Sequence, residues 1–219
     1  VRSDTTCPHH SGIRTIQKTA DTSIEISEIK TGYNGFFRIE ILKFQHTLYQ
    51  GGWSEMVSRE LFGRGQAVVV LMYDLIKEQV ILIEQCRAGA LRHAQTAGKS
   101  EQAWLLEPVA GMIDFEETPE QAGIREAQEE AGIEIDTLEY ICQYYPSPGG
   151  CDEVLHVYGC VIDSDLLPEY SGLASEHEDI KIINMPFETA RAKLRAGQFN
   201  VSSTIIALQW LFYQKLPLH

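Results

Sequence analysis

The sequence predicts an α/β fold, with strands and helices built around one sheet, preceded by a small antiparallel β unit. Three observations carry this reading. In GFFRIEILKF (35–44), Phe37, Ile39 and Ile41 alternate with Arg38 and Glu40, the pattern of a half-buried antiparallel strand. QAVVVLMYDL (66–75) and VILIEQC (80–86) are instead continuous apolar runs, as expected of strands covered on both faces. Helical segments with recognisable start and stop signals follow, at 118–132 and in the last part of the chain.

Taken in order, VRSDTTCPHHSG at the start is polar and lacks periodicity, and reads as a loose tail. Cys7, His9 and His10 could bind a metal there, although adjacent histidines in a tail are more often incidental. SIEISEI (23–29) reads as a strand. The Gly-Gly pair of YQGGW makes a turn, and a third strand runs through Val57 and Leu61. This all-β start is expected to end near Phe62, giving an N-terminal unit over 1–62 and a main domain over 63–219. After the two apolar strands, AGALRHAQTAGKSEQA (88–103) is small and polar, a long loop or insertion with room for a short helix. Further strands are expected at 138–145, 153–162 and 180–184. PFETARAKLRAG has Pro186 near its start and Gly197 at its end. SSTIIALQWLFYQ opens on a serine able to cap it.

Composition narrows the function. The net charge of −13 makes the chain a poor binder of nucleic acid unless divalent cations intervene. The five cysteines are odd in number and form no CxxC pair, which suits packed, reduced thiols and a cytoplasmic setting. No apolar run approaches a membrane span, and no signal peptide opens the chain.

The most informative stretch is acidic. Thr118 can cap a helix, Pro119 suits its first position, and Gln121 completes a capping box. Gly132 can end it in a left-handed conformation. Ile124, Ala127 and Ala131 are expected to face the core, with Glu126, Glu129 and Glu130 on the other side. Glu126 and Glu130 are like charges four residues apart, costing about 0.2–0.5 kcal/mol. They also lie in the C-terminal half of the helix, where its dipole disfavours negative charge. Arg125 can offset only Glu129. Either this is a solvated acidic face, or divalent cations neutralise it; hard cations such as magnesium take carboxylate oxygens and substrate phosphates together.

Gly111, Glu117 and then Arg125-Glu126-Ala127-Gln128-Glu129-Glu130-Ala131-Gly132-Ile133 resemble a complete Nudix box, with seven fixed residues matched over 23. The resemblance implies the Nudix α/β/α sandwich with a mixed sheet, and hydrolysis of a nucleoside diphosphate linked to another group. By that resemblance Glu126 and Glu130 are metal ligands and the Ala110 carbonyl is another. Glu129 ligates or supports, Glu117 lies near the metals, and Arg125 orients the carboxylates. The implied cofactor is Mg2+, with Mn2+ able to substitute.

From Gly35 to Leu211 the chain is similar to the ADP-ribose pyrophosphatase subgroup. SPGG (147–150) carries Pro148 close to where that subgroup has its diagnostic proline. Such a loop can offer backbone amides to a ribose or phosphate oxygen, and Ser147 and Gly149 are expected there. SRELFGRG (58–65) and IEQCR (83–87) match as well. Arg59 and Arg87 are candidate diphosphate clamps, since guanidinium grips phosphate bidentately. The similarity further implies that Glu60 reads the adenine, Phe36 stacks on it, and Met112 contacts substrate. It implies a homodimer with exchanged N-terminal strands, so that Phe36, Arg59 and Glu60 serve the partner's site. In GLASEHEDIKI (172–182) it makes Glu176 the general base and Glu178 a metal contact. His177 is a competing base because its ordinary pKa suits the task. The expected products of ADP-ribose are AMP and ribose 5-phosphate. Another sugar nucleotide such as GDP-mannose, a non-catalytic ADP-ribose sensor, and the cleansing of oxidised triphosphates are the alternatives.

Overall fold

The computed structural model describes residues 22–217, so Cys7, His9 and His10 lie outside the described residues. The described chain forms two units. One runs to Arg64 and takes in Gly149–Asp152; the other holds Gly65–Pro148 and the chain from Glu153 onward.

In the first unit, β1 (Ile24–Asn34), β2 (Arg38–His46) and β3 (Val57–Gly63) form an antiparallel sheet in the order β1-β2-β3. Gly51 and Gly52 take positive φ in the β2–β3 connection, which a side chain would oppose. Residues 149–152 return to β3. The Phe62 amide donates to the Gly150 carbonyl at 2.8 Å, and the Asp152 amide donates to the Phe62 carbonyl at 3.2 Å. Every residue of β1 is exposed, including Ile24, Ile26, Ile29 and Tyr33.

The second unit contains β4 (Gln66–Asp74), β5 (Gln79–Cys86), α1 (Ala88–Ala97), β6 (Trp104–Glu107), β7 (Val109–Met112), α2 (Pro119–Ala131), β8 (Glu139–Tyr144), β9 (Val154–Val161), β10 (Tyr170–Ser171), β11 (Ile180–Pro186), α3 (Phe187–Arg195) and α4 (Ser202–Trp210). The sheet order is β10-β11-β5-β4-β9-β8, with β6 added to β5 and β7 to β4. It is mixed: β4 runs antiparallel to β5 and β7 but parallel to β9. Side chains of β4 alternate between two cores. Val68, Val70 and Met72 pack with Ala122, Ala127 and Ala131 of α2. Val69, Leu71 and Tyr73 pack with Phe187, Leu208 and Trp210 of α3 and α4. A sheet with helices on both faces explains why its central strands read as unbroken apolar runs.

One local expectation is sharpened and another changes. The 88–103 segment is mostly helical, as α1 followed by a 3-10 turn at Ser100–Ala103. Its small residues allow a helix that left-handed Gly98 can end. The serine expected to cap the last helix does not do so: the N-cap is Val201 and Ser202 is already helical. Ser203 and Thr204 are buried, and Thr204 Oγ1 donates to the Leu106 carbonyl at 2.9 Å, so this first turn faces inward.

Candidate active site

Helix α2 begins with the capping box that its sequence requires. The Gln121 amide donates to Thr118 Oγ1 at 3.2 Å, and the Thr118 amide donates to Gln121 Oε1 at 2.8 Å. It ends on Gly132 in the left-handed region. Between these points its carboxylates do not sit on a solvated face. Glu126 and Glu130 are buried, as are Ala127 and Ala131, while Ile124 is only partly so. Glycine makes this possible. A Cβ at Gly111 on β7 would overlap the Glu126 carboxylate, and one at Gly123 would come 2.7 Å from Leu138 Cδ1. Helix and strand therefore approach closely enough for carboxylates to meet backbone.

Arg125 organises the cluster. Its Nε and Nη2 each bond Glu117 at 3.0 Å, and Nη2 also donates to the Met112 carbonyl at 2.9 Å. Nη1 donates to Glu126 at 2.7 Å and to Glu129 at 2.8 Å. The guanidinium holds the Glu117 carboxyl below its usual range, and these partners raise the pKa of Arg125 itself. Glu130 is held differently. The Ala110 amide donates to its Oε2 at 2.9 Å, and Gln85 Nε2 approaches its Oε1 at 3.5 Å. Burial is the largest influence on both buried glutamates. It raises Glu126 despite Arg125, and pushes Glu130 up to about 8 despite the Ala110 amide and nearby Arg87.

Glu178 joins this field, raising Glu126 and Glu130 further. Its carboxylate accepts the Leu173 amide at 3.1 Å. Gly172 takes φ +105, and a Cβ there would lie 2.9 Å from that of Glu178. Ser171 Oγ reaches the Glu129 carbonyl at 3.4 Å, joining the loop to α2.

A divalent cation fits the chemistry of this donor set. The groups are oxygen donors, and Glu117, Glu126, Glu129 and Glu130 outnumber the one guanidinium, Arg125, that bonds three of them. Among the described residues no three His, Cys, Asp or Glu side chains already converge as a cage. Arg125 bonds one oxygen of Glu126 and one of Glu129, which leaves the second oxygen of each carboxylate for a cation.

A family model described as NUDIX domain matches residues 63–205. The chain belongs to the NUDIX family. It is 39% identical over 196 residues to an ADP-ribose pyrophosphatase of Haemophilus influenzae, covering 90% of this chain and 89% of that protein. Against the ADP-ribose pyrophosphatase of Escherichia coli K12 it is 38% identical, covering 86% and 87%. Against a GDP-mannose pyrophosphatase of Cronobacter sakazakii it is 31% identical, covering 86% and 95%. A crystal structure of an ADP compounds hydrolase shares the fold with a TM-score of 0.60 at 19% identity, covering 90% of this chain and 96% of that one.

Around the Nudix helix the second unit gathers Ala110, Met112, Glu117, Arg125, Glu126, Glu129 and Glu130, with Arg87 and Glu178 electrostatically coupled to them. Ser147 belongs to the same unit and is exposed in the loop after β8. Phe36, Arg59, Glu60 and Gly149 belong to the first unit. Phe36 lies exposed between β1 and β2, and Arg59 and Glu60 are exposed on β3. Glu176 closes the short 3-10 turn Ala174–Glu176, and its side chain lies outside what the structure describes. His177 follows in the left-handed region and is exposed.

Sequence reasoning missed Gln85 and Glu107. Gln85 is buried against Glu130, and Glu107 accepts from Arg87 Nε at 2.6 Å. Each interrupts an apolar strand, in VILIEQC and WLLEPV. A polar residue at an inward strand position was the available signal.

Proposed function

We propose that this Nudix hydrolase cleaves the diphosphate bridge of ADP-ribose, consuming water and releasing AMP and ribose 5-phosphate. One observation carries the reading: the ADP-ribose pyrophosphatase relatives match at 38–39% identity across 86–90% of the chain, against 31% for the GDP-mannose pyrophosphatase of comparable coverage. The buried carboxylates of α2 support it, because they concentrate negative charge where a phosphate chemistry needs cations.

Glu126, Glu130, Glu178 and the Ala110 carbonyl would hold the metal, read as Mg2+ with Mn2+ able to substitute. When bound, such ions screen phosphate charge and lower the pKa of a coordinated water. The chain's own residues do the rest. Arg125 and Glu129 keep the helix carboxylates oriented. Arg87 grips the diphosphate, Met112 contacts substrate, and Ser147 and Gly149 offer the substrate a loop. Glu176 takes the proton of the attacking water, with His177 and Glu178 as the competing assignments. We further read residues 1–62 as a dimerisation unit and 63–219 as the catalytic domain of a cytoplasmic homodimer. Phe36, Arg59 and Glu60 then serve the partner's site through exchanged N-terminal strands. The uncovered apolar residues of β1 support that part.

The test is a substrate panel with Mg2+, following AMP release chromatographically. ADP-ribose is expected to exceed GDP-mannose in kcat/KM by about tenfold or more. A faster guanine substrate overturns the assignment, and tight ADP-ribose binding without AMP release turns the protein into a sensor.

A further inference from the structure

We propose that Glu107 is a positioning residue that aims Arg87 at the diphosphate. The inference rests on the reading of Arg87 as a phosphate clamp. Arg87 follows β5 directly and caps α1. Its amide donates to the Ala103 carbonyl at 2.9 Å, and its own carbonyl accepts the Ala90 amide at 2.9 Å. The 88–103 excursion thus leaves and returns at Arg87, fixing its backbone from both ends. The side chain is fixed separately: Nε donates to Glu107 Oε2 at 2.6 Å.

That choice of nitrogen matters. A guanidinium held by Nε keeps its plane fixed while its two terminal nitrogens still form a fork suited to paired phosphate oxygens. Glu107 is the more buried partner, 13% exposed against 36% for Arg87. It pairs with Ile83 across the β5–β6 ladder, and Leu105 pairs with Gln85, the residue that approaches Glu130. Alternation along β6 therefore puts Glu107 on the α2 side of the sheet, among core positions such as Ile83. A largely buried carboxylate there is costly to desolvate, and an apolar residue would suit the strand as well. Orienting Arg87 gives the carboxylate a use. It also gives the excursion one, because the loop that closes on Arg87 brings the chain into β6 and so to Glu107.

The test uses the full chain with Glu107→Leu, Glu107→Gln, Arg87→Ala and the Arg87→Ala/Glu107→Leu pair. Steady-state KM and kcat with Mg2+ are read beside calorimetric binding of ADP-ribose to metal-free protein and Mn2+ binding by electron paramagnetic resonance. Glu107→Leu is expected to raise KM and the dissociation constant by about tenfold, the size of one charge-assisted hydrogen bond. Its kcat should stay within about twofold, and Mn2+ affinity should not move. Glu107→Gln, which can still accept from Nε, should recover most of the loss. In the Arg87→Ala background Glu107→Leu should do nothing more. An equal Glu107→Leu effect in both backgrounds overturns the proposal while leaving the clamp intact, as does weakened Mn2+ binding, which would make Glu107 part of the cation site. Unchanged KM and binding in Arg87→Ala alone removes the clamp reading, and the proposal with it.

Discussion

The two faces of the main sheet both bury apolar strand residues, but their helices fill them differently. On the α3–α4 side the fill is large and apolar: Phe187, Phe199, Leu208, Trp210, Leu211 and Phe212 lie buried against Val69, Leu71 and Tyr73. On the α2 side the helix contributes Ala122, Ala127 and Ala131, and it is here that Glu126, Glu130 and Gln85 are buried as well. Small residues bring the helix backbone close to β7. Carboxylates then enter a low-dielectric space where burial opposes their charge. Apolar burial on both faces stabilises the unit, and the α2 side carries in addition groups that cost stability.

Substitutions on the two faces should separate activity from stability. Glu126→Gln keeps the shape and can still accept from Arg125, but it loses the charge. The expected fall in kcat with Mg2+ is at least about 10²-fold, while the thermal midpoint of the metal-free protein holds or rises. A midpoint lowered by many degrees would show that the carboxylate supports the fold. Trp210→Ala should do the reverse. Trp210 packs edge-on to Tyr73, with ring centroids 6.1 Å apart, and lies over Gly159, where a Cβ would come 2.7 Å from the indole. Denaturant unfolding should report a loss of about 3–5 kcal/mol, with kcat/KM per folded molecule unchanged. A specific loss of kcat would mean that the aromatic face shapes the site directly.

The same contrast explains what the sequence could tell. Strand positions on the main sheet were legible because burial on both faces leaves unbroken runs such as QAVVVLMYDL. The helix limits were legible because Thr118, Pro119, Gln121 and Gly132 act through local backbone chemistry. Glu126 and Glu130 were legible as an anomaly of charge. Their burial was not, since it depends on other elements: Gly111 meets Glu126, and Ala110 and Gln85 meet Glu130. Gln85 and Glu107 were hidden for a related reason. Their partners, Glu130 and Arg87, lie 45 and 20 residues away; packing of α2 on the sheet brings the first pair within reach, and β5–β6 pairing the second. The helix of 88–103 was obscured by composition, as small and polar residues suit a loop equally.

Asp74 sharpens the comparison from the other direction, with the smallest expected effect. It is as buried as Glu126 and Glu130, but its oxygens are satisfied. Oδ1 accepts the Ile76 and Lys77 amides at 2.9 Å; Oδ2 accepts the Ser164 amide at 3.0 Å and its hydroxyl at 2.8 Å. The Lys77 amide, followed by that of Ser164, holds the carboxyl near 2, against an ordinary 3.8. A depressed folded pKa means that this stabilisation is full above the unfolded value and fades as pH falls through the folded one. Asp74→Asn places an amide NH2 where an oxygen took donors, costing about 1–2 kcal/mol near neutrality. Chemical denaturation from pH 5 downward should show the gap between wild type and Asp74→Asn narrowing from near pH 4 towards pH 2. A gap that stays constant across that range would mean the charge of Asp74 contributes nothing beyond its shape. The donors around Asp74 would then fail to separate a carboxylate that holds the fold from those gathered around α2.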